Sequence, residues 1–297
     1  MLPRISIITP SFNQGKYIGR SIASVADQQY PLLEYIIIDG GSTDDTLDII
    51  RQHSKEISYW ISEPDRGQSH AINKGLARAT GEIIGWLNSD DISCPATLLR
   101  VGEFMGNHPE CDAVFGGLLI IDGQDRVLNG YWPAPPDVRY TYGVALDVHQ
   151  QALFWRKSLT DRIGGIDEEL HYFMDLEFII RILKAGMVGQ IQQYLGALRL
   201  HEATKTSTLS ALEVPEAAVI RRRFAGDFPP TILHPACRAS LRLKRIAQVA
   251  LAAGPAYAAF KAAHRVGLKL PVAWLGPGVS SPIWPQNTPT PSSRRTC

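Results

Sequence analysis

Several features that would assign the chain quickly are missing. Its four cysteines, Cys94, Cys111, Cys237 and Cys297, form no CxxC pair and stand too far apart for a zinc cluster. They read as reduced thiols of a cytoplasmic protein. No uninterrupted apolar run reaches the ~18 residues a membrane-spanning helix needs. Met1-Leu2-Pro3-Arg4 passes directly into the short run Ile5 to Ile8, without the longer apolar region and cleavage site of a signal peptide. Charge of either sign is not in excess: 30 Lys and Arg oppose 29 Asp and Glu, a net +1. The global charge therefore draws the chain to neither nucleic acid nor an anionic membrane, although local basic clusters need separate consideration. No aromatic-basic array marks a nucleic-acid surface, and no internal repeat is visible.

What is present is ordinary globular material. The chain has 297 residues, enough for one or two domains with a packed core. Its first half alternates strand and helix patterns. Arg4 to Thr9, Glu34 to Asp39, Ile57 to Ser62 and Glu82 to Leu87 are short β-branched or apolar runs with strand character. Between and after them, helices are expected over Lys16 to Gln28, from Thr43-Asp44 to about His53, over Gln68 to Ala79, and from Pro95 to about Gly106. Repeated βα units predict a mostly parallel sheet flanked by helices, an α/β fold. Such sheets bind ligands beyond the carboxyl ends of their strands. Thr9-Pro10-Ser11, Asp39-Gly40-Gly41 and Asn88 to Asp91 are thereby expected on one rim.

The second half is less regular. Strands are expected over Asp112 to Asp122, Arg126 to Trp132, Ala152 to Arg156, Val188 to Ile191 and Tyr194 to Leu200. Helices are expected over Asp175 to Ala185 and Glu213 to Phe224. From about Phe228 the character changes. Arg238 to Lys269 is Ala-rich and basic, broken into two helices by Pro255. The expected division is a catalytic domain over 1–227, a basic helical extension over 228–270, and a Pro-rich tail over 271–297, expected to be disordered.

Four segments carry chemistry. In Asn88-Ser89-Asp90-Asp91, two adjacent carboxylates project where a strand ends, offering hard oxygen ligands to Mg2+ or Mn2+ beside a diphosphate. Asp39-Gly40-Gly41 places a carboxylate where it can accept hydrogen bonds from a ribose or a uracil imide, with backbone free to approach. Asp65-Arg66-Gly67-Gln68 opens a helix whose N-terminus favours anions, and Asn73 inside that helix could tie it to the loop after the first strand. Asp175 stands at a helix start, where a carboxylate near an acceptor hydroxyl can act as general base. Each segment alone also reads as a turn, a helix cap or a buried structural polar group.

Taken in order, Ile7-Ile8-Thr9-Pro10-Ser11-Phe12-Asn13, Ile38-Asp39-Gly40-Gly41-Ser42-Thr43-Asp44, Gly75 through Asp91, and Ile163-Gly164-Gly165-Ile166-Asp167 with Met174-Asp175 resemble the family 2 glycosyltransferases. The resemblance runs from about residue 3 to 208 and implies the GT-A fold. It implies that Thr9, Pro10 and Asp39 line the nucleotide pocket, with Asp65 and Gln68 close by and Ser11, Asn88 and Ser89 completing the donor set. It further implies Asp90 as the metal-binding carboxylate of the DxD motif with Asp91 beside it, His201 as a late ligand of the metal or diphosphate, Asp175 as catalytic base, and His149-Gln150-Gln151 as the acceptor-side segment. Two positions depart from the pattern. Asn88 replaces the first carboxylate of DxD, and Met174 stands where many relatives carry Glu.

The implied reaction is an inverting transfer of sugar from a nucleoside-diphosphate sugar to a hydroxyl on a glycan or lipid-linked acceptor, in polysaccharide or glycoconjugate assembly. The enzyme would be cytoplasmic, at the inner face of the membrane if the basic C-terminal region makes peripheral contact there. A helical cover on the catalytic domain is the competing role for that region. A nucleotidyltransferase would open with a Gly-rich loop after the first strand, and a dinucleotide dehydrogenase with GxGxxG; both are absent. A catalytically silent nucleotide-sugar-binding protein stays open because of Asn88 and Met174.

Overall fold

The computed structural model describes residues 1–143, 145–202, 204 and 210–265. The Pro-rich tail, and the stretch of the basic segment that was expected to reach Lys269, lie outside the described residues. The first half is built from β1 (Ile5–Ser11), α1 (Ile18–Ala26), β2 (Leu33–Asp39), α2 (Thr46–Gln52), β3 (Tyr59–Ser62), α3 (Gln68–Arg78), β4 (Ile83–Trp86), β5 (Ile92–Ser93) and α4 (Thr97–Asn107). The second adds β6 (Ala113–Ile121), β7 (Val127–Tyr131), α5 (Val138–Gly143), β8 (Leu153–Arg156), α6 (Lys157–Ile163), α7 (Met174–Ala185), β9 (Val188–Arg199), α8 (Glu213–Arg223) and α9 (Pro235–Arg265).

All nine strands form one sheet in the order β3-β2-β1-β4-β8-β6-β9-β5, with β7 paired to β6. β3, β2, β1 and β4 run parallel. β8 is antiparallel to both β4 and β6, while β6 and β9 pair parallel, so the sheet is mixed beyond β4. Strand alternation sends residues to opposite faces. Ile8, Ile36, Ile38 and Ile84 pack with α3 and α7 through Ile72, Leu76, Phe178 and Ile182. Ile5, Ile7, Tyr35, Ile37 and Ile83 pack on the other side with α1 and α4 through Ile18, Ile22, Leu98 and Val101. This leaves the carboxyl ends of β1, β2 and β4 as a polar rim.

Several elements differ from expectation. The two strands expected at 188–191 and 194–200 are one strand, β9, whose register against β6 shifts around Gly117. β5 is only two residues long, and α5 and α6 lack a full amphipathic repeat, so periodicity misses all three. The break in α9 falls at Gly254 (φ 79°), immediately before Pro255, since the residue ahead of a proline is driven out of the helical region.

Candidate active site

The rim has two storeys. Thr9, Pro10, Ser11, Asp39, Ser89 and Asp91 are buried beneath it, whereas Asp65, Gln68, Asn88, Asp90, Asp175 and His201 are partly exposed. Thr9 was expected to line the nucleotide pocket. It is instead fully buried, its Oγ1 3.2 Å from Tyr35 Oη, because β1 is central and covered on both faces. Ser11 Oγ, at the end of β1, is buried without a hydrogen-bond partner among the described residues.

Asp39 was expected to meet the ligand directly. Its carboxylate is closed to solvent and organises the loop after β2. Oδ2 accepts from Gly41 N (3.1 Å), Ser42 N (2.9 Å) and Ser62 Oγ (2.6 Å), and Oδ1 accepts from Ser42 Oγ. Gly40 beside it leaves room for a neighbour: a Cβ there would stand 2.8 Å from Asp65 Oδ2 and push that side chain aside. Asp65 thus lies directly over the loop that Asp39 shapes, and its Oδ1 accepts from Gly67 N at 2.7 Å, ahead of α3.

Asn88 is the hub. Its Oδ1 accepts from Gln68 Nε2 and from Trp86 Nε1, both at 2.7 Å, and its Nδ2 donates to Asp91 Oδ2 at 3.1 Å. Asp91 was expected beside Asp90 as a metal ligand, and here the structure corrects the sequence reading. The carboxylate is fully buried and turned inward, accepting also from Arg199 N (3.0 Å) and Gln151 Nε2 (3.0 Å). Burial, and the Asp90 carboxylate beside it, push its pKa well above the usual carboxylate range. Gln151, expected on the acceptor side, serves this buried carboxylate instead. Asn73 likewise ties α3 to Ile166 and Glu168, not to the loop after β1.

These contacts explain the departure at position 88. An aspartate there would keep both acceptors but put a second carboxylate against Asp91 and remove its donor. Asn88→Asp is therefore expected to cost about 2 kcal/mol, because it exchanges the Nδ2 donor for a second carboxyl within a buried cluster, even though Asp91 Oδ2 keeps Gln151 Nε2. The melting temperature should fall by roughly 4–8 °C. An unchanged or raised melting temperature would contradict the hub.

Asp90 keeps its carboxylate partly exposed at the rim. Its Oδ2 lies 3.0 Å from His201 Nε2, although 111 residues separate the two. The His201 ring packs on Tyr17, centroids 4.6 Å apart, and the Arg199 guanidinium lies 5.0 Å from the centroid of the same Tyr17 ring. Arg199 is fully buried; it donates from Nε to the Asp90 carbonyl at 2.7 Å and pairs with the buried Asp125, which also meets Arg20. The end of β9 is thus fastened to the loop after β4. Asp90 and His201 form a carboxylate–imidazole pair of the N and O donors that suit Mn2+ or a similar divalent ion. Among the described residues no cluster of three or more His, Cys, Asp or Glu side chains is placed to hold a metal, so phosphate oxygens and water would complete its shell.

Asp175 is the second residue of α7. Met174 Sδ lies 2.9 Å from Ser69 Oγ in the first turn of α3, one residue from Gln68, so the start of α7 abuts the hub through α3. The segment ahead of it is held by a residue with no local sequence signal. Glu216, buried in α8, accepts from the backbone N–H groups of His171, Tyr172 and Phe173, each at 2.8 Å. Glu177, two residues along and buried on α7's inner face, pairs with Arg181 and Arg223. Sequence reasoning missed Tyr17, Arg20, Asp125, Arg199 and Glu216, which act through partners far away in the chain. His149 was identified; it lies 5.1 Å from Tyr131, and burial together with Arg245 lowers its pKa to about 4, leaving the imidazole neutral near pH 7.

Comparison with known proteins bears on this geometry. The model of the family described as Glycosyl transferase family 2 matches residues 6–162. An uncharacterized glycosyltransferase of Mycobacterium tuberculosis (strain CDC 1551 / Oshkosh) is 35% identical over 182 residues, covering 60% of this chain and 68% of that protein. Among solved structures, S. aureus TarS 1-349 in complex with UDP-GlcNAc matches with a TM-score of 0.60 at 22% identity, over 73% of this chain and 66% of that one. In a longer TarS structure the match covers 67% of this chain but only 37% of that one. The mannosyltransferase PcManGT of Pyrobaculum calidifontis, in complex with GDP-Man and Mn2+, matches with a TM-score of 0.57 at 19% identity, over 90% of this chain and 80% of that one. The architecture is the GT-A fold implied by the sequence motifs.

Proposed function

Since the chain belongs to glycosyl transferase family 2, we propose that it transfers a sugar from a nucleoside-diphosphate sugar to a hydroxyl acceptor, a glycan or a lipid-linked alcohol, with inversion. The observation that carries this reading is the meeting of Asp90 and His201 at 3.0 Å on the carboxyl edge of the sheet. The donor side is built from Asp65, Gln68 and Asn88. Asp39 acts through the loop it shapes.

Asp175 takes the proton of the acceptor hydroxyl. The acceptor oxygen bonds to the anomeric carbon as the bond from that carbon to the diphosphate oxygen breaks, and the nucleoside diphosphate leaves with the electron pair. Asp90 and His201 would hold the divalent cation that GT-A enzymes commonly use, and when bound it offsets charge on the leaving diphosphate. Asn88 and Gln68 fix the loop that carries Asp90, and Glu216 fixes the approach to Asp175.

A panel of nucleoside-diphosphate sugars, scanned by thermal shift with Mn2+ and with chelator, tests donor binding. A donor present at about 100 times its Kd stabilises by about 2.7 kcal/mol, roughly 5–10 °C here. One donor class is expected to give that shift in Mn2+ and a much smaller one with chelator, and to release nucleoside diphosphate. Shift without any release of nucleoside diphosphate, across the panel and with alcohol acceptors present, would favour the silent-binder alternative.

A further inference from the structure

The near-neutral total charge conceals a polar distribution. No Asp or Glu follows Asp227, whereas nine Lys and Arg do; of the 30 basic residues the other 21 share residues 1–227 with all 29 acidic ones, a net of −8 against +9. Helix α9 carries five of those cations within Arg238 to Lys261.

One side of α9 is anchored. Arg245 donates to the Pro135 carbonyl at 2.8 Å and faces Asp147, and the Tyr257 hydroxyl donates to the Gly130 carbonyl at 3.1 Å. Lys261 Nζ donates to Asn129 Oδ1 at 2.9 Å, and Tyr257 and Phe260 are buried against Trp132 and its neighbours. The opposite side of its first segment follows the helical repeat Ala239, Leu243, Ala247 and Ala250, all exposed. Ile246 and Leu251 border it, and Leu243, Ile246 and Leu251 are 68%, 51% and 87% exposed. Arg242 and Lys244, also exposed, lie on its two flanks; Lys244 reaches back to Asp137 at 3.0 Å. Large aliphatic side chains facing water between flanking cations match a helix lying in the headgroup region of a bilayer.

We propose that this outward face of α9 rests on an anionic lipid surface. The acidic body of the molecule is repelled by that surface and the C-terminal region attracted, so the charge distribution fixes the orientation as well as the contact. The anchored side of the same helix holds Asn129, Pro135 and Asp147, near the Tyr131–His149 pair. The region expected to face the acceptor is thereby held close to the lipid. The contact does not depend on the proposed transfer reaction and is measured without donor.

The test is co-sedimentation of the full chain with vesicles of phosphatidylcholine containing phosphatidylglycerol, compared with phosphatidylcholine alone. Binding is expected to the anionic vesicles, with strong loss near 1 M salt, where the screening length shrinks to about 3 Å. A variant carrying Leu243→Asp, Ile246→Asp and Leu251→Asp should bind about tenfold more weakly or worse. All three side chains are exposed, so its melting temperature should stay that of the parent. Arg242→Glu should weaken binding by a smaller factor. Absence of binding by the parent chain, or equal binding by the triple variant, would overturn the proposal. So would light scattering that showed a dimer in the parent and a monomer in the triple variant, because a second copy would then cover the face.

Discussion

Asp175→Asn is expected to lower kcat by about 10²-fold or more while leaving donor affinity unchanged. The substitution keeps the shape of the side chain and removes its capacity to accept a proton near neutral pH. Its surroundings tell against an effect through folding. Asp175 is only partly buried, and the segment before it is held by Glu216 through three backbone N–H groups that do not involve the Asp175 side chain. On α7 itself, the buried Glu177 with Arg181 and Arg223 holds the helix independently. The donor-induced thermal shift should therefore match the parent's, and the loss should be confined to turnover. Replacement with near-native kcat would remove Asp175 from the chemistry. Loss of the donor shift along with turnover would place it in binding instead.

The rim, and the helix start that carries Asp175, are legible in the sequence because both follow from local pattern. β1, β2, β3 and β4 are short apolar runs; β1 continues through Pro10 to Ser11, the others stop just ahead of Gly40-Gly41, Pro64 and Asn88, and parallel pairing brings their ends together. Which side chain faces the cleft is decided elsewhere. Asp90 and Asp91 are adjacent and chemically identical, and only the arrival of Arg199 and Gln151 from remote elements turns Asp91 inward. Asp39 looks like a ligand contact until Ser62, from β3, is seen to take one of its oxygens. Glu216 lies on a helix with no motif around it, and its task exists only because α8 crosses the segment before α7. The charge of the C-terminal region was visible in the sequence as a basic, Ala-rich stretch, but the apolar outward face of α9 depended on knowing which side is anchored.

Asp90→Ala is expected to reduce turnover by a similar factor, about 10²-fold or more, and to abolish the difference between Mn2+ and chelator in the donor thermal shift. The backbone at this position is fastened independently of the side chain, since the Asp90 carbonyl accepts from Arg199 Nε and the neighbouring Asp91 carboxylate accepts from Arg199 N. Truncation at Cβ should leave that scaffold and the melting temperature of the free protein close to the parent's. His201→Ala removes the second donor of the pair and also a ring packed on Tyr17, so it should lower both turnover and stability, the former less than Asp90→Ala does. The order of the two effects discriminates between roles. If Asp90 were a structural partner of His201 alone, the two variants would lose equal activity, and the double variant would be no worse than either. If Asp90 supplies the principal cation ligand, it dominates, and added Mn2+ restores part of the His201→Ala loss but none of the Asp90→Ala loss. Full turnover in chelator by the parent chain would remove the cation from the reaction and leave the Asp90–His201 pair to act on the diphosphate as a hydrogen-bonding couple.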